Sequence, residues 1–314
     1  DDEFFGPDWR ERAERLLEAG ELRRAGHKLA PRRNEHVASR IPLRSASADS
    51  MAVIEKESGE MLGLVEAERA FTTIHPGAIY LHLGRSYEVE QLDVREHRAL
   101  VSSFDGDWYT RPKKETDIYI ERIHQQREVA GVQLNFGEVS VTEQVIAFQR
   151  VSIADNEPID IVALELPEQS FVTQALWYVL PEGNFGTLPP DVLLGALHAT
   201  EHGQIAVLPL IAMCDRWDIG GLSTNVHFQT GRSTIFIYDG HPGGVGITKR
   251  GYDEFERLLG DAERLIAECP CESGCPSCVQ SPKCGNLNEP LHKAGALELV
   301  GQMQRASEAV RRAA

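Results

Sequence analysis

Five of the chain's six cysteines, Cys269, Cys271, Cys275, Cys278 and Cys284, lie within sixteen residues, in the run CPCESGCPSCVQSPKC. This density constrains the fold more than any other feature, because a short segment rich in thiols must wrap around something those thiols share. Zn²⁺ takes four sulfurs tetrahedrally, and the Cys-x2-Cys element from Cys275 to Cys278 lets one turn aim two of them at a single ion. An all-sulfur set suits zinc or an iron–sulfur cluster, whereas Ca²⁺ and Mg²⁺ require oxygen, and disulfides are the remaining alternative. The softness of the ligands favours structural Zn²⁺. Cys271, Cys275, Cys278 and Cys284 leave loops of three, two and five residues, with Gly274, Pro276, Pro282 and Gly285 supplying turns. Cys269, at the end of an expected helix over 252–268, is the alternative ligand in place of Cys271 if the chain turns early, and otherwise a partly buried thiol. Cys214, in IAVLPLIAMC, reads as a core residue.

At 314 residues with 42% hydrophobic and 25% charged residues, the chain has room for more than one domain. The longest apolar candidate, 204–214, is too short to span a bilayer and contains Pro209, so no membrane partner is expected. The chain opens DDEFFGPDW without methionine or export signal, which suggests a piece of a larger protein, and reduced cysteines suggest the cytoplasm.

A net charge of −16 argues against binding nucleic acid by bulk electrostatics. The charge is uneven, however. Between Leu22 and Arg44 seven basic residues (Arg23, Arg24, Lys28, Arg32, Arg33, Arg40, Arg44) face one acid, Glu35, a local +6. Such a run is either a solvated face or a phosphate-contacting wing. Arg111, Lys113 and Lys114 lie beside Trp108 and Tyr109, a pairing that suits base stacking with phosphate contact and equally a capped hairpin corner.

The texture changes twice along the chain. Residues 1–34 read as the last helix and wing of a winged-helix unit, with a basic linker. Over 35–185, runs such as SMAVIEK, AIYLHLG and GVQLNFGEVSVTEQVIAFQRV, separated by Gly-rich turns, suggest seven or eight short strands in an antiparallel barrel-like domain. Over 186–314 a long helix from Pro189, interrupted near Gly203 and Pro209, the strand STIFIYDG, a glycine-rich loop, two further helices and the cysteine knuckle make an α/β zinc-binding domain. The expected class is therefore α+β.

Two patterns invite catalytic readings. His198-Ala-Thr-Glu201-His202 fits H-x-x-E-H, which sets two imidazoles on one helical face with a glutamate beside them, as in inverted zinc peptidases. Its apolar neighbours equally suit core histidines, or a site that binds without cleaving. The loop from Asp239 to Lys249 carries four glycines after a strand, an arrangement that lets backbone approach phosphate or merely turn tightly. It is not a P-loop: G-x4-G-K-[ST] occurs nowhere in the chain, and no acidic box for Mg²⁺ is evident.

Asp215-Arg-Trp-Asp-Ile-Gly-Gly-Leu-Ser, Tyr238-Asp-Gly-His-Pro-Gly-Gly-Val-Gly, the cysteine run and Lys283-Cys-Gly-Asn together resemble the C-terminal region of MrfA-type superfamily 2 DNA helicases, the clade of SftH and the fungal RecQ4-like helicases. The strand-rich ADSMAVIEKESGEMLG and AIYLHLGRSYEVEQLD resemble the stretch that those enzymes carry between motor and zinc module. The resemblance implies an accessory region of a 3′-to-5′ ATP-dependent DNA-repair helicase, with ATP and Mg²⁺ confined to motor lobes outside this chain. It implies Cys271, Cys275, Cys278 and Cys284 as zinc ligands, and His198 and His202 in a helix without peptidase activity. The expected partners are DNA, as a single strand or fork, and the helicase's own motor. Arg23, Arg24, Lys28, Arg32, Arg33, Trp108, Lys113 and Lys114 are the candidate DNA contacts. The competing class is a protein-interaction scaffold for repair proteins or for self-association, with a zinc metallopeptidase third.

Overall fold

The computed structural model describes residues 9–26, 28–32, 49–181 and 188–313, and the chain divides into two compact units, 1–49 and 50–314. In the first unit, WRERAERLLE forms helix α1 (Trp9–Glu18), whose turn at Gly20, in the left-handed region, leads into the hairpin β1 (Leu22–Ala25) and β2 (Lys28–Pro31). A helix and a two-stranded hairpin thus occupy the stretch that reads in the sequence as the end of a winged-helix unit.

The second unit begins with a five-stranded sheet. Its strands are β3 (Ser50–Glu55), β4 (Met61–Glu66), β5 (Ile79–His82), β6 (Arg85–Asp93) and β7 (Arg98–Ser103), in the order β4-β3-β7-β6-β5. It is mixed and not purely antiparallel, because β3 and β7 pair in parallel. A short helix unforeseen in the sequence, α2 (Ala67–Thr73), buries Ala70 and Phe71 and carries the chain across the sheet, so the β5–β6–β7 meander returns beside β3 in the same direction. Met51, Val53, Ile74, Tyr87, Val89 and Val101 form this sheet's own core.

The long alternating run that follows folds into one hairpin of two strands, β8 (Trp108–Val129) and β9 (Val132–Ser152), turning at Ala130 and Gly131, both at positive φ. One edge of β9 is covered by β8; the other is shared by β10 (Pro158–Ala163) and β11 (Gln169–Val179). The sheet continues through β13 (Thr234–Asp239) to β12 (Ile219–Thr224), so strands from both sides of residue 185 belong to one sheet. β8 bulges opposite Gly137, where a Cβ would lie 1.9 Å from the Arg122 carbonyl oxygen, so only glycine fits. The β12–β13 loop then nearly closes the sheet into a barrel. Gln229 reaches back to β8 and presents its amide as a rung, Oε1 accepting from Ile120 N at 2.6 Å and Nε2 donating to Ile120 O at 3.0 Å, and His227 Nε2 lies 2.9 Å from Ile118 O.

Alternation decides what each face buries. Leu134, Phe136, Leu176, Tyr178, Ile235 and Ile237 point to a helical layer. Val139, Val141, Trp177, Val179, Phe236 and Tyr238 fill the barrel-like interior. The helical layer comprises α3 (Pro190–Val207), α4 (Pro209–Ala212), α5 (Ile247–Asp253), α6 (Phe255–Glu268) and α7 (Lys293–Ala313). α3 runs unbroken through Gly203, which lets it approach Ile266 of α6, and stops where Pro209 begins the next turn. Among the described residues no helix is long and apolar enough to cross a membrane.

The glycine-rich loop joins β13 to α5, and its amides are already engaged. Asp239, fully buried, accepts hydrogen bonds from Val245 N (2.6 Å), Gly246 N (2.8 Å), Ile247 N (3.2 Å) and Thr248 N (2.8 Å). A carboxylate of the chain itself thus occupies the place a phosphate would take. Replacing Asp239 by alanine strands four amides, and is expected to cost on the order of 3 kcal/mol or more. Asp239→Asn, which keeps one oxygen acceptor, should cost less. Equal denaturation midpoints for wild type and Asp239→Ala would refute this role.

Candidate metal centre

Helix α6 ends at Glu268 because Cys269 turns to an extended conformation and Pro270 follows. From there to Glu289 the chain makes only turns and bends. Gly274, at φ 121°, permits one that any side chain would block, since a Cβ would meet Val279 at 2.6 Å. Cys275 O accepts from Cys278 N at 3.0 Å, and Cys275 N points at Cys278 Sγ at 3.4 Å.

These turns gather four sulfurs. Cys269 Sγ lies 3.6 Å from Cys271 Sγ and 3.5 Å from Cys275 Sγ; Cys278 Sγ lies 3.5 Å from Cys271 Sγ and 3.8 Å from Cys275 Sγ. A Zn–S bond of about 2.3 Å in a tetrahedron requires sulfur–sulfur edges of about 3.8 Å, so the spacing fits a zinc ion and is far too long for disulfides. Behind the sulfurs lie Ala199, Ile266, Val279 and Ala296. Lys293, the buried first residue of α7, donates through Nζ to Cys269 O at 2.7 Å and Cys271 O at 2.5 Å, and lies 3.5 Å from Cys271 Sγ. Four thiolates around Zn²⁺ carry a net double negative charge, which this ammonium partly offsets. No spacing rule singles Lys293 out, as it lies fifteen residues past Cys278 and reaches the site only by tertiary packing.

The structure brings Cys269 into the group and places Cys284 outside it. After Cys278 the chain passes under α3, with Val279 buried, and closes a small loop in which Asn288 bonds both Ser281 N (2.7 Å) and Ser281 O (3.0 Å). That loop aims Cys284 Sγ at His198 Nε2, 3.3 Å away. His198 and His202 meet edge to face one turn apart on α3, ring centroids 4.3 Å apart, with Nδ1 atoms against Pro290 O (2.9 Å) and Val279 O (2.7 Å). Burial disfavours charge on both rings, yet bonding to Cys284 and the charge of Glu201 hold His198 up at about 9, whereas burial and the neighbouring His198 push His202 down to about 3.

Glu201, the glutamate of H-x-x-E-H, faces β12, where the missing Cβ of Gly221 makes room for it: a Cβ there would lie 2.4 Å from Oε1. Burial raises its pKa. Nearby, Glu143 accepts from Lys114 Nζ and from Tyr238 OH, both at 2.6 Å. Burial works to raise Glu143, but the Lys114 charge and these two bonds outweigh it and hold its carboxyl below the usual range. Lys283 is pushed down to about 7 by removal from water and by Lys114.

The remaining candidate contacts are dispersed. Register pairs Arg23 with Ala30 and Ala25 with Lys28, so Arg23 and Lys28 share one exposed face of the hairpin. Arg24 points to the other face and bonds Glu14 of α1 at 2.7 Å. Arg32 is exposed just after β2; Arg33, Arg40 and Arg44 lie outside the described residues. In the second unit Lys114 is committed to Glu143, Lys113 is half-buried, and the Trp108 ring packs edge-on against Phe104 with the Arg150 guanidinium 5.6 Å from its centroid.

Comparison with known proteins places this geometry. Residues 200–279 match the MrfA Zn-binding domain, a span that contains Cys269, Cys271, Cys275 and Cys278 and stops before Cys284. The chain is 30% identical over 285 residues to the uncharacterized ATP-dependent helicase YprA of Bacillus subtilis, covering 89% of this chain and 38% of YprA. It is 27% identical over 272 residues to the ATP-dependent helicase HRQ1 of Saccharomyces cerevisiae, covering 82% of this chain and 25% of HRQ1. The crystal structure of DUF1998 helicase MrfA bound to DNA superposes with a TM-score of 0.58 at 29% identity, over 93% of this chain and 39% of that one. The chain thus spans well under half the length of these relatives. Residues 200–279, which include the sulfur cluster, thus match a MrfA-type zinc-binding domain, and the chain as a whole is similar to the part of these helicases that the matches cover.

Proposed function

We propose that this chain is the zinc-stapled, DNA-engaging accessory region of an ATP-dependent 3′-to-5′ DNA helicase acting in repair, working in the cytoplasm beside motor lobes that supply ATP and Mg²⁺ binding. The likeness over 93% of the chain to a DNA-bound helicase carries this reading. The chemistry of the chain supports it from the other side. There is no P-loop in the sequence, and the amides of the glycine-rich loop are bound to Asp239, so the chain has a rigid scaffold and no phosphate cradle of its own among the described residues.

Within this reading Cys269, Cys271, Cys275 and Cys278 hold the zinc, which when bound cross-links the end of α6 to the turns that follow. Lys293 anchors α7 to the same knuckle. A motor that draws one strand through itself needs a stiff surface to keep the strands apart, and a sheet buried on both faces is suited to that. Arg23 and Lys28, on one exposed face of the hairpin, are candidate phosphate contacts that remain, since Arg24 and Lys114 are committed to carboxylates.

Three outcomes follow. Cys275→Ser should abolish binding of the tetrathiolate zinc and lower the thermal midpoint, read by elemental analysis and calorimetry; iron in place of zinc would overturn the assignment. Lys293→Met, which preserves much of the side-chain volume, should weaken zinc retention against a chelator by roughly tenfold or more, from the lost charge and two carbonyl bonds. The double reversal Arg23→Glu and Lys28→Glu should weaken binding to forked or single-stranded DNA alike across sequences. It should also flatten the slope of log affinity against log salt by about 1.4 to 1.8, the contribution of two phosphate contacts. Unchanged affinity and slope would remove the hairpin from the interface and favour the scaffold reading.

A further inference from the structure

Two buried imidazoles and a thiol converge beside the tetrathiolate without sharing its sulfurs. Ligating atoms of His198, His202 and Cys284 lie within 4.8 Å of one another, and His198 Nε2 is 3.3 Å from Cys284 Sγ. Both rings are held from behind by backbone carbonyls, Pro290 O at 2.9 Å and Val279 O at 2.7 Å. A carbonyl oxygen can only accept, so each Nδ1 carries a hydrogen, and in a neutral ring the lone pair is then on Nε2. A thiol has one proton to give, and two imidazoles need a donor. Both rings are largely withdrawn from water, at 7% and 5% exposure. One cation accepts all three lone pairs. Carbonyl partners behind ligating imidazoles are also what orients histidines in metal sites.

We propose that His198, His202 and Cys284 bind a second divalent ion of the zinc class, separate from the tetrathiolate site. The donor set of two imidazoles and one thiolate matches zinc's borderline softness. Bonds of about 2.0 Å to nitrogen and 2.3 Å to sulfur at tetrahedral angles put nitrogen and sulfur about 3.5 Å apart, close to the spacing found here. Three protein ligands leave one position for water, yet the site is built for holding rather than hydrolysis. Zinc peptidases with the H-x-x-E-H motif use its glutamate as the base at the metal-bound water, and here Glu201 is turned to Gly221 on β12. What the ion would join is specific. It fastens α3 to the loop over 281–288, and that loop is bonded to the sheet through Gly285 O, which accepts from Lys114 N at 3.1 Å.

Native mass spectrometry of the full chain, purified without chelator and supplied with Zn²⁺, tests this directly. Two ions per chain are expected. Cys284→Ser and His202→Gln should each carry one, and Cys275→Ser should lose the other. Replacement of Zn²⁺ by Co²⁺ adds a spectroscopic check: the wild-type minus Cys284→Ser difference should show weak single-thiolate charge transfer, distinct from the intense bands of the tetrathiolate. If the variants do not fold, the wild-type count decides. A single ion in natively folded wild type, with Cys284 open to alkylation by iodoacetamide in excess Zn²⁺, would overturn the proposal and leave an imidazolium–thiolate pair. Two ions in folded Cys284→Ser would overturn it as well.

Discussion

Helix α3 is buried over every residue from Gly195 to Ile205, and the arrangement of the C-terminal region follows from what it touches on each side. Toward the sheet, Gln204 Oε1 accepts from Tyr178 OH at 2.9 Å, and Glu201 lies under Gly221. Toward α6, Gly203 admits Ile266. Toward the segment before α7, Gly195 O accepts from His292 N at 3.0 Å. Toward the cysteine segment, His198 and His202 meet Pro290 O and Val279 O. A helix enclosed on every side cannot rotate or slide without breaking contacts on all of them, so it serves as the axis on which sheet, helices and knuckle are aligned.

The polar residues on this helix explain why the enclosure specifies one arrangement. An apolar helix in an apolar cavity tolerates several rotations, whereas each buried hydrogen-bonding group must find its own partner or cost about 1–3 kcal/mol. The pairs His202 with Val279, Gln204 with Tyr178 and His198 with Cys284 and Pro290 are satisfied together in only one register. The same logic holds at Glu143, where Lys114 and Tyr238 hold an ion in place between strands. The Lys114 charge is thus spent inside the fold against Glu143, whereas Arg24 is paired with Glu14 at the surface.

Much of this was legible in the sequence. The cysteine density pointed to a sulfur-bound metal because few other chemistries use so many thiols so close together. The alternation in GVQLNFGEVSVTEQVIAFQRV marked β9, and the apolar spacing of Phe255, Leu258, Leu259, Ala262 and Ile266 marked α6. Less legible was α2, seven residues without a cap signal, and with it the parallel pairing of β3 and β7, which depends on where α2 carries the chain. The phosphate-cradle reading of the glycine-rich loop was open from composition alone, because composition cannot show that Asp239 folds back onto the very amides a phosphate would use.

The sequence by itself determined that a strand-rich stretch gives way to a helical C-terminal region, that thiols would share an ion, and that basic residues would concentrate between Leu22 and Arg44, because these rest on local spacing and residue chemistry. Only the tertiary structure decided which sulfurs meet and which histidines face a thiol. Cys269, next to Cys271 but at the end of a helix, comes within 3.5 Å of Cys275, while Cys284 is drawn to His198, eighty-six residues away. Sulfur positions differing by a few ångströms depend on where α3, Lys293 and the loop over 281–288 pin the backbone, and those pins are contacts between residues far apart in the chain that no local pattern encodes.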